Sequence, residues 1–358
     1  MKKFLVLSLS VLLLSVTAVF ADQGIVGNKI KVGGVLPLSG GAGFIGDGVR
    51  IGMETYIRYF NNELKYGGKQ IEGYFLDDGF VAEKGLAATK ELIENKKVFA
   101  LVGTTGTPGI MAAMDIILKK GLPFVYQGSG VAQLYLPPKR NVFPIQPSFI
   151  FEGRIFVKFL ADQLGKKRIA VVYRNDEVGE GLLVGLNEIL PTYKRKGVSI
   201  VEKIPVAATD TDLNPTVVRI KNSNPDAIII YLYGGQATGF VRSAREAGMD
   251  PKNIPMVTTY VNSDPVMFKL AGSSWNDVLC GAWASPTTGD YYKNFMRVWK
   301  QYSGLKNDPS PYNIAGWIAM ETFVEGLKRV KGNLTWESYI KAMETFSQGG
   351  GWSGGMAY

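Results

Sequence analysis

The sequence VFALVGTTGTPG occupies residues 98–109 and combines a strand, a loop and the start of a helix in one short stretch. Its first five residues, Val98–Val102, are all apolar, which is typical of a strand buried inside a parallel sheet. The glycine- and threonine-rich loop that follows leads to Thr107, which is placed to cap a helix, and Pro108, which suits the first helical position. A buried strand that turns directly into a helix is the building unit of an α/β fold.

The same alternation continues on both sides of this stretch. Strands are predicted at Ile30–Leu38 and Ile71–Leu76 before it and at Pro123–Gln127 after it, with apolar residues at helical spacing in between. A second series begins after Val142–Pro147, where two prolines favour an extended crossing between domains. The predicted strands of this second series are Arg168–Tyr173, Ser199–Ile204, Ala227–Leu232 and Pro255–Thr259.

The fold class predicted from this pattern is α/β, with two doubly wound parallel-sheet lobes and a cleft between them. Residues 29–147 and 276–346 form the predicted first lobe, and residues 148–275 form the second. The later part of the first lobe includes a strand at Val278–Trp283 and aromatic-rich helices that we expect to cover it. The glycine-rich tail, 347–358, is a candidate for a return to the second lobe.

The first 21 residues of the chain have the pattern of an export signal. Lys2 and Lys3 precede an apolar run, Phe4–Phe20, and Ala21 is a small residue where a signal peptidase would cut. A membrane anchor is the alternative, but serine and threonine residues interrupt the apolar run. We therefore expect a signal peptide cleaved after Ala21 and a periplasmic protein.

The composition excludes several classes of enzyme. The 358 residues contain no histidine and a single cysteine, Cys280, so catalysis by a serine–histidine or cysteine–histidine pair and imidazole ligation of metals are excluded. Cys280 lies in an apolar run, which favours a packed strand residue. The net charge of +9 comes from basic residues scattered along the chain, whereas a nucleic-acid-binding surface would concentrate them. We expect no enzyme activity, cofactor, metal or nucleic-acid partner.

The segment Gly41–Gly46 has the spacing G-x-G-x-x-G between a strand and a helix, as in dinucleotide-binding folds. Pro37–Gly40 make the turn too long for that motif, and the acidic pair Asp77–Asp78 lies about thirty rather than about twenty residues further on. An oxidoreductase that uses this glycine cluster is therefore only a third hypothesis, which the absence of nicotinamide binding would exclude.

Two pairs of adjacent carboxylates, Asp77–Asp78 and Asp176–Glu177, are poor candidates for acid–base catalysis. Such catalysis needs opposed, spaced carboxyl groups with different pKa values, whereas neighbours in the chain point apart. We expect both pairs on surface loops.

The loops at the carboxyl ends of the strands are the expected ligand site, because open α/β sheets bind ligands there. Gly103–Gly109 would present a helix N-terminus, whose free N–H groups bind carboxylates, although an ordinary cap and turn explain the local sequence equally well. The small residues of Gly128–Gly130 would let a ligand approach the backbone. Tyr233 and Tyr260 follow strands of the second series and would form a wall of the site.

As a set, these segments resemble the branched-chain amino-acid-binding family of periplasmic proteins. The matching segments are Ile30–Gly40, Gly46–Gly48, Asp77–Asp78, Val102–Gly103, Gly106–Pro108, Arg168–Tyr173, Gly179–Gly181 and Ala244–Gly248. The resemblance extends from about Lys29 to about Arg329. It implies two lobes joined by three crossings, a ligand in the cleft, and a monomeric receptor that delivers its ligand to an ABC permease at the inner membrane.

The resemblance also implies roles for individual residues. Thr107 would bind a ligand carboxylate through its backbone N–H and hydroxyl groups, and Tyr233 would contact the ligand from the second lobe. Gly128, Ser129 and Gly130 would supply backbone contacts. The complete set of predicted ligand contacts is Phe44, Thr105, Thr107, Gly128, Ser129, Gly130, Tyr233, Tyr260 and Tyr312.

The sequence departs from the family pattern at the site itself. Gly130 stands where amino-acid binders carry a hydroxyl, Tyr260 stands where they carry an acidic residue for the ligand ammonium, and the aromatic residue expected near Val178 is missing. Because a buried ammonium without a carboxylate is costly, a carboxylic acid without an amine, or an amide, fits better than an α-amino acid. The last strand pair typical of the family is not found before Tyr358, which makes the chain a candidate fragment.

Two functions of different classes follow from the sequence. The first is a periplasmic receptor that closes about a hinge on a small carboxylate-bearing ligand, an amino acid or a related acid or amide, and delivers it to an ABC importer. The alternative is an exported ligand sensor of the same fold that signals to a membrane partner.

Overall fold

The computed structural model describes residues 24–282 and 289–347. The predicted signal peptide, the end of the predicted strand at Trp283 and the glycine-rich tail from residue 348 lie outside these ranges. The described residues form two mainly parallel sheets, each covered by helices, so the predicted fold class is confirmed. No helix in these ranges is long and apolar enough to cross a bilayer.

The first sheet contains six strands of the described chain. They are β1 (Ile25–Val26), β2 (Lys29–Leu36), β3 (Gln70–Asp77), β4 (Ala100–Val102), β5 (Phe124–Val125) and β6 (Val142–Phe143). The strand order is β1-β2-β4-β5-β6, with β3 also paired to β2, and only β1 runs antiparallel to its neighbour. The apolar run at residues 98–102 is fully buried, as its composition predicts.

The second sheet contains five strands of the described chain, in the order β11-β10-β9-β7-β8 when numbered along the sequence. They are β7 (Arg168–Arg174), β8 (Ser199–Val206), β9 (Ala227–Tyr231), β10 (Met256–Thr258) and β11 (Leu279–Cys280). Every pairing in this sheet is parallel.

The last strand of the second sheet corrects the sequence-based boundary at residue 276. Leu279 and Cys280 pair with Val257 and Thr258, so β11 belongs to the second sheet rather than to the first lobe. The physical reason is the side chain of Trp275, which is buried in the core of the second sheet and holds the approach to β11 against it. The chain leaves this sheet only after Cys280.

Eleven α-helices surround the sheets within the described ranges. They are α1 (Gly43–Tyr59), α2 (Ala82–Lys90), α3 (Thr107–Lys120), α4 (Phe149–Lys158), α5 (Glu177–Lys194), α6 (Asn214–Asn222), α7 (Gly234–Glu246), α8 (Val266–Ala271), α9 (Gly289–Tyr302), α10 (Pro311–Arg329) and α11 (Trp336–Glu344). Single π-helical turns at Phe60–Leu64, Glu91–Asn95 and Phe159–Gln163 continue α1, α2 and α4. Short 3₁₀ turns lie at Gly40–Ala42, Tyr66–Gly68, Ala132–Leu134, Tyr260–Asn262, Gly272–Trp275 and Thr345–Ser347.

The C-terminal helices return to the first sheet. Helices α9 and α10 pack against α1, and α11 packs against α10. Helix α10 lies so close to α1 that a Cβ atom at Gly52 would be 2.0 Å from the carbonyl oxygen of Asn313, and one at Gly316 would be 2.0 Å from that of Val49. This backbone contact fixes the N-terminal end of α10, which carries Tyr312, beside the cleft.

Candidate functional site

The cleft between the two sheets contains an inner chamber, which is built from loops at the carboxyl ends of strands and from residues of α1, α4 and α10. It is lined by Ile45, Val49, Phe80, Thr105, Gly106, Thr107, Tyr126, Gly128, Gln146, Phe149, Tyr233, Tyr260, Val261, Tyr312 and Ala315. None of these lining residues carries a charge. The free volume is about 30 Å³, which suits a small head group rather than a whole ligand, since one water needs about 10–15 Å³ on this measure.

The loop before α3 brings Thr105 and Thr107 to the chamber. The Thr107 hydroxyl lies 2.7 Å from the Ser129 hydroxyl, and either can donate the hydrogen bond. Thr105 and Gly128 form a backbone bridge between neighbouring loops, and a Cβ atom at Gly128 would lie 2.3 Å from Thr105 Oγ1. Glycine at 128 is thus required for the two loops to meet.

The structure corrects the predicted cap of α3. Gly106, with φ of 115°, occupies the N-cap position, Thr107 is the first helical residue, and no side chain caps the helix. A φ of this size favours glycine, which explains why the boundary falls one residue earlier than the threonine pattern predicts. The first-turn N–H groups of α3 are consequently left without a side-chain acceptor.

Gln146 is a lining residue that the sequence analysis did not identify. It lies on the first crossing between the lobes, and its side chain is 7% exposed. Its Oε1 atom is buried and has no hydrogen-bond partner among the described residues. Because a buried amide oxygen without a partner is costly, Gln146 is a candidate contact for a polar ligand group.

Three tyrosines close the chamber, of which Tyr260 and Tyr312 are buried and Tyr233 is half-buried. The Tyr312 hydroxyl donates to the carbonyl oxygen of Val261 over 2.5 Å, which connects the first lobe to the second. The Tyr260 ring stacks on Phe149, with centroids 6.4 Å apart. Burial raises the pKa of Tyr233, Tyr260 and Tyr312 well above the usual value for a phenol, so these hydroxyls stay neutral.

A buried glutamate supports this wall from behind. Glu152 accepts hydrogen bonds from the Tyr231 hydroxyl at 2.6 Å, the Thr259 hydroxyl at 2.9 Å and the Tyr260 backbone N–H at 2.9 Å. Burial raises the pKa of the Glu152 carboxyl to about 7, against the lowering effect of these three bonds. Glu152 does not line the chamber, so we assign it to holding Tyr260 in place.

Phe80 and Tyr233 separate the inner chamber from a larger outer chamber. Their rings meet edge to face across the cleft, with centroids 6.5 Å apart. Phe80 has a φ of 64°, a left-handed conformation that is unusual for a bulky residue, and its N–H donates to Asp78 Oδ1 at 2.8 Å. The backbone conformation of Phe80 is therefore specified by its surroundings.

The prediction that Asp78 lies on a surface loop is wrong. The side chain is 1% exposed, and burial raises the pKa of its carboxyl to about 6. It packs between α2 and α3 against Gly85 and Gly109, whose missing side chains make room for it. Asp77, by contrast, is exposed and accepts from the backbone N–H groups of Leu38 and Ser39, as a loop residue would.

The outer chamber has a volume of about 860 Å³ and opens toward solvent. Its lining includes Phe44 and Pro108 from the first lobe and Arg174, Asp176 and Arg242 from the second. Asp176 also departs from the surface-loop expectation, because its side chain caps α5 and pairs with Arg174. Ile45, Phe80 and Tyr233 line both chambers, so the two spaces are neighbours.

Comparison with known proteins places this arrangement in a family. The model of the periplasmic binding protein family matches residues 29–354. The chain belongs to that family. The sequence-based recognition of the branched-chain amino-acid-binding proteins is thereby confirmed, and relatives named for leucine, isoleucine and valine support it.

The relatives of this periplasmic binding protein are distant. A leucine-, isoleucine-, valine-, threonine- and alanine-binding protein of Pseudomonas aeruginosa is 23% identical over 65% of this chain, and the match spans 61% of that protein's own length. The solute-binding protein of an ABC transporter from R. palustris, solved with benzoate, is 22% identical, with 88% of this chain and 85% of that chain covered and a TM-score of 0.77. The fatty acid ABC transporter substrate-binding protein from Thermomonospora curvata is 20% identical, with coverages of 90% and 82% and a TM-score of 0.79. Since these proteins are named for different ligands, they show the fold and leave the ligand open.

The predicted site residues of this periplasmic binding protein fall into three groups. Those that line the inner chamber are Thr105, Thr107, Gly128, Tyr233, Tyr260 and Tyr312. Phe44 lines the outer chamber. Ser129 and Gly130 line neither chamber; Ser129 lies behind Thr107, and a Cβ atom at Gly130 would be 2.4 Å from the carbonyl oxygen of Pro147. Ligand contact by these residues stays a prediction.

The remaining sequence-based predictions concern the position of Val178 and metal binding. Val178, where an aromatic residue was expected, is fully buried and lines neither chamber. Within the described ranges, no three carboxylates or cysteines are grouped so that they could hold a metal ion.

Proposed function

We propose that this periplasmic binding protein is a solute receptor that holds a small carboxylic acid, or the corresponding amide, in its cleft and delivers it to an ABC importer. The observation that carries the proposal is the inner chamber, whose lining is uncharged, combines apolar side chains with threonine, tyrosine and glutamine side chains, and is contributed by both lobes. The export signal in the sequence supports a periplasmic location.

The head group of the ligand would bind at the N-terminus of α3. This helix is 14 residues long, and its N-cap Gly106 supplies no side-chain acceptor. The free N–H groups of the first turn and the positive end of the helix dipole together favour a carboxylate oxygen. The Thr107 hydroxyl can accept from Ser129 and donate to the same oxygen.

The lining of the inner chamber argues against an α-amino acid. An ammonium group buried there would need a carboxylate partner, and no aspartate or glutamate is among the lining residues. Glu152 lies behind the chamber wall, with its carboxylate oxygens already bonded to Tyr231, Thr259 and Tyr260. By the family resemblance, Tyr260 corresponds to the position at which amino-acid receptors carry an acidic residue, and its phenol is neutral.

Contacts across the cleft support binding by lobe closure. The Tyr312–Val261 hydrogen bond and the Phe80–Tyr233 ring contact both join the first lobe to the second. A ligand enclosed between the lobes adds further contacts to this closed arrangement, so its binding shifts the protein toward the closed form.

A test of the head-group site is the substitution Thr107→Ala. We expect it to weaken binding of 4-methylpentanoate and benzoate by about 1–3 kcal/mol, as for the loss of a hydrogen bond to a charged group. Isothermal titration of the purified protein measures this change.

The matched control is Ser129→Ala, which removes the partner hydroxyl without changing a lining side chain. It should weaken binding less than Thr107→Ala does. Equal affinities of the wild type and the Thr107→Ala variant would show that the carboxylate binds elsewhere.

A further inference from the structure

Arg174 is a buried cation at the boundary between the two chambers. It is the last residue of β7, so its side chain projects from the carboxyl end of a buried strand. Only 8% of the residue is exposed, yet it lines the outer chamber. A guanidinium in this position is desolvated and needs hydrogen-bond acceptors.

The protein supplies hydrogen-bond acceptors for only part of the Arg174 guanidinium. Its Nε atom donates to Asp176 Oδ2 at 2.8 Å, and its Nη2 atom donates to the same oxygen. The other oxygen of Asp176 accepts from the backbone N–H of Val178 at 3.1 Å. Nη1 has no acceptor in the part of the chain that the structure describes.

Two aromatic rings fix the plane of this guanidinium. The central carbon of Arg174 lies 5.1 Å from the ring centroid of Tyr233 and 5.6 Å from that of Phe80. Such cation–π contacts restrain the side chain and leave its free N–H edge as the part that can meet a ligand. Phe80 and Tyr233 line both chambers, so that edge adjoins the passage between them.

The volumes of the two chambers suit a ligand that occupies both. The inner chamber, at about 30 Å³, admits a head group, and the outer chamber, at about 860 Å³, has room for the body. A ligand held at α3 by its carboxylate therefore extends past Phe80 and Tyr233 toward Arg174.

We propose that the ligand carries a second oxygen acceptor at its far end, a hydroxyl or a second carboxylate, and that Arg174 selects for it. This inference rests on the proposed function, since it takes the first carboxylate to lie at α3. Four acidic residues line the outer chamber. Asp210 and Asp212 are exposed and hence screened by solvent, Glu177 is half-exposed, and Asp176 is already paired with Arg174.

The test compares hexanoate, 6-hydroxyhexanoate and adipate, which share one chain length and differ at one end. We expect the hydroxy acid and the dicarboxylate each to bind the wild-type protein about 10-fold more tightly than hexanoate, as for one added charge-assisted hydrogen bond. Arg174→Gln should abolish this preference, so that the variant binds the three acids with similar affinities.

Two further variants separate recognition from folding. Arg242→Gln removes a positive charge from the same chamber and should keep the preference, because Arg242 is exposed. The double variant Arg174→Gln/Asp176→Asn leaves no unpaired carboxylate and retains a residue that can cap α5, so it should fold and still lack the preference.

Equal affinities of the wild type for the three acids would overturn the role of Arg174 while leaving the proposed function in place. An equal loss of affinity for all three acids in Arg174→Gln would also overturn it. Arg174 would then contribute to closure of the lobes and would not select among the ligands. Binding of none of the three acids by the wild type would contradict both this inference and the proposed ligand class.

Discussion

Replacing Gln146 with glutamate should weaken the binding of a carboxylic acid about 100-fold or more. The change keeps the shape of the side chain and adds a negative charge to a chamber whose lining has none. Two like charges about 4 Å apart at an effective dielectric constant of about 20 repel each other by about 4 kcal/mol. Titration of wild type and variant with 4-methylpentanoate and benzoate at neutral pH measures the loss.

The control for this substitution is Gln146→Leu, which removes the amide without adding a charge. It should cost about 10-fold, the value of one hydrogen bond donated by the Gln146 amide nitrogen to the ligand carboxylate. If Gln146→Glu binds the acids as well as the wild type does, the ligand carboxylate is not in the inner chamber.

The second large effect is on stability. Gly52→Ala should lower the free energy of unfolding by about 3 kcal/mol or more, at the upper end of the cost of overpacking a core. The added Cβ atom would lie 2.0 Å from the carbonyl oxygen of Asn313, which belongs to the backbone of α10 and moves only if the helix moves. Denaturation in urea, followed by circular dichroism, measures the change.

Gly239→Ala is the matched control. Gly239 also lies inside a helix, α7, but no atom lies within 4 Å of the Cβ position. Alanine there should stabilise the protein by about 0.5–1 kcal/mol, because glycine is the poorer helix former. Similar midpoints for the two variants would contradict the close contact between α1 and α10.

Much of the fold could be predicted because the central strands carry strong local signals. Val98–Val102 and Ala227–Leu232 are apolar throughout, and the structure buries both segments. The boundary at residue 276 was wrong because β11 is two residues long and is held by the distant side chain of Trp275. A strand of two residues is too short to show the pattern of apolar residues from which strands are predicted.

Most of the correctly predicted lining residues follow from sheet topology; Tyr312, on α10, is the exception. Thr105, Thr107 and Tyr233 follow strands at the carboxyl edge, and the structure brings them to one chamber. Gly130 follows a strand at the same edge, but it packs against Pro147 and Phe149 and is not among the residues that line the chamber. Sequence spacing does not specify the direction of the loop that follows a strand.

The residues that the sequence analysis missed differ in kind. Gln146 has no local signal, because its burial depends on the approach of the two lobes at the crossing. Arg174 did have a local signal, because a charged residue that ends an apolar strand lies at the ligand-binding edge of a parallel sheet. The same reasoning would have placed Asp176 beside the cleft rather than on a surface loop.

The most direct test of the proposed ligand class is a titration with 4-methylpentanoate, 4-methylpentanamide and leucine. Leucine is 4-methylpentanoate with an added ammonium group, and 4-methylpentanamide is the same acid with its negative charge removed. We predict that the acid or the amide binds at least about 100-fold more tightly than leucine, because no carboxylate lines the inner chamber to compensate a buried ammonium charge. Tighter binding of leucine than of either analogue would contradict the account. The ligand would then be an amino acid, as in the receptors that the chain resembles.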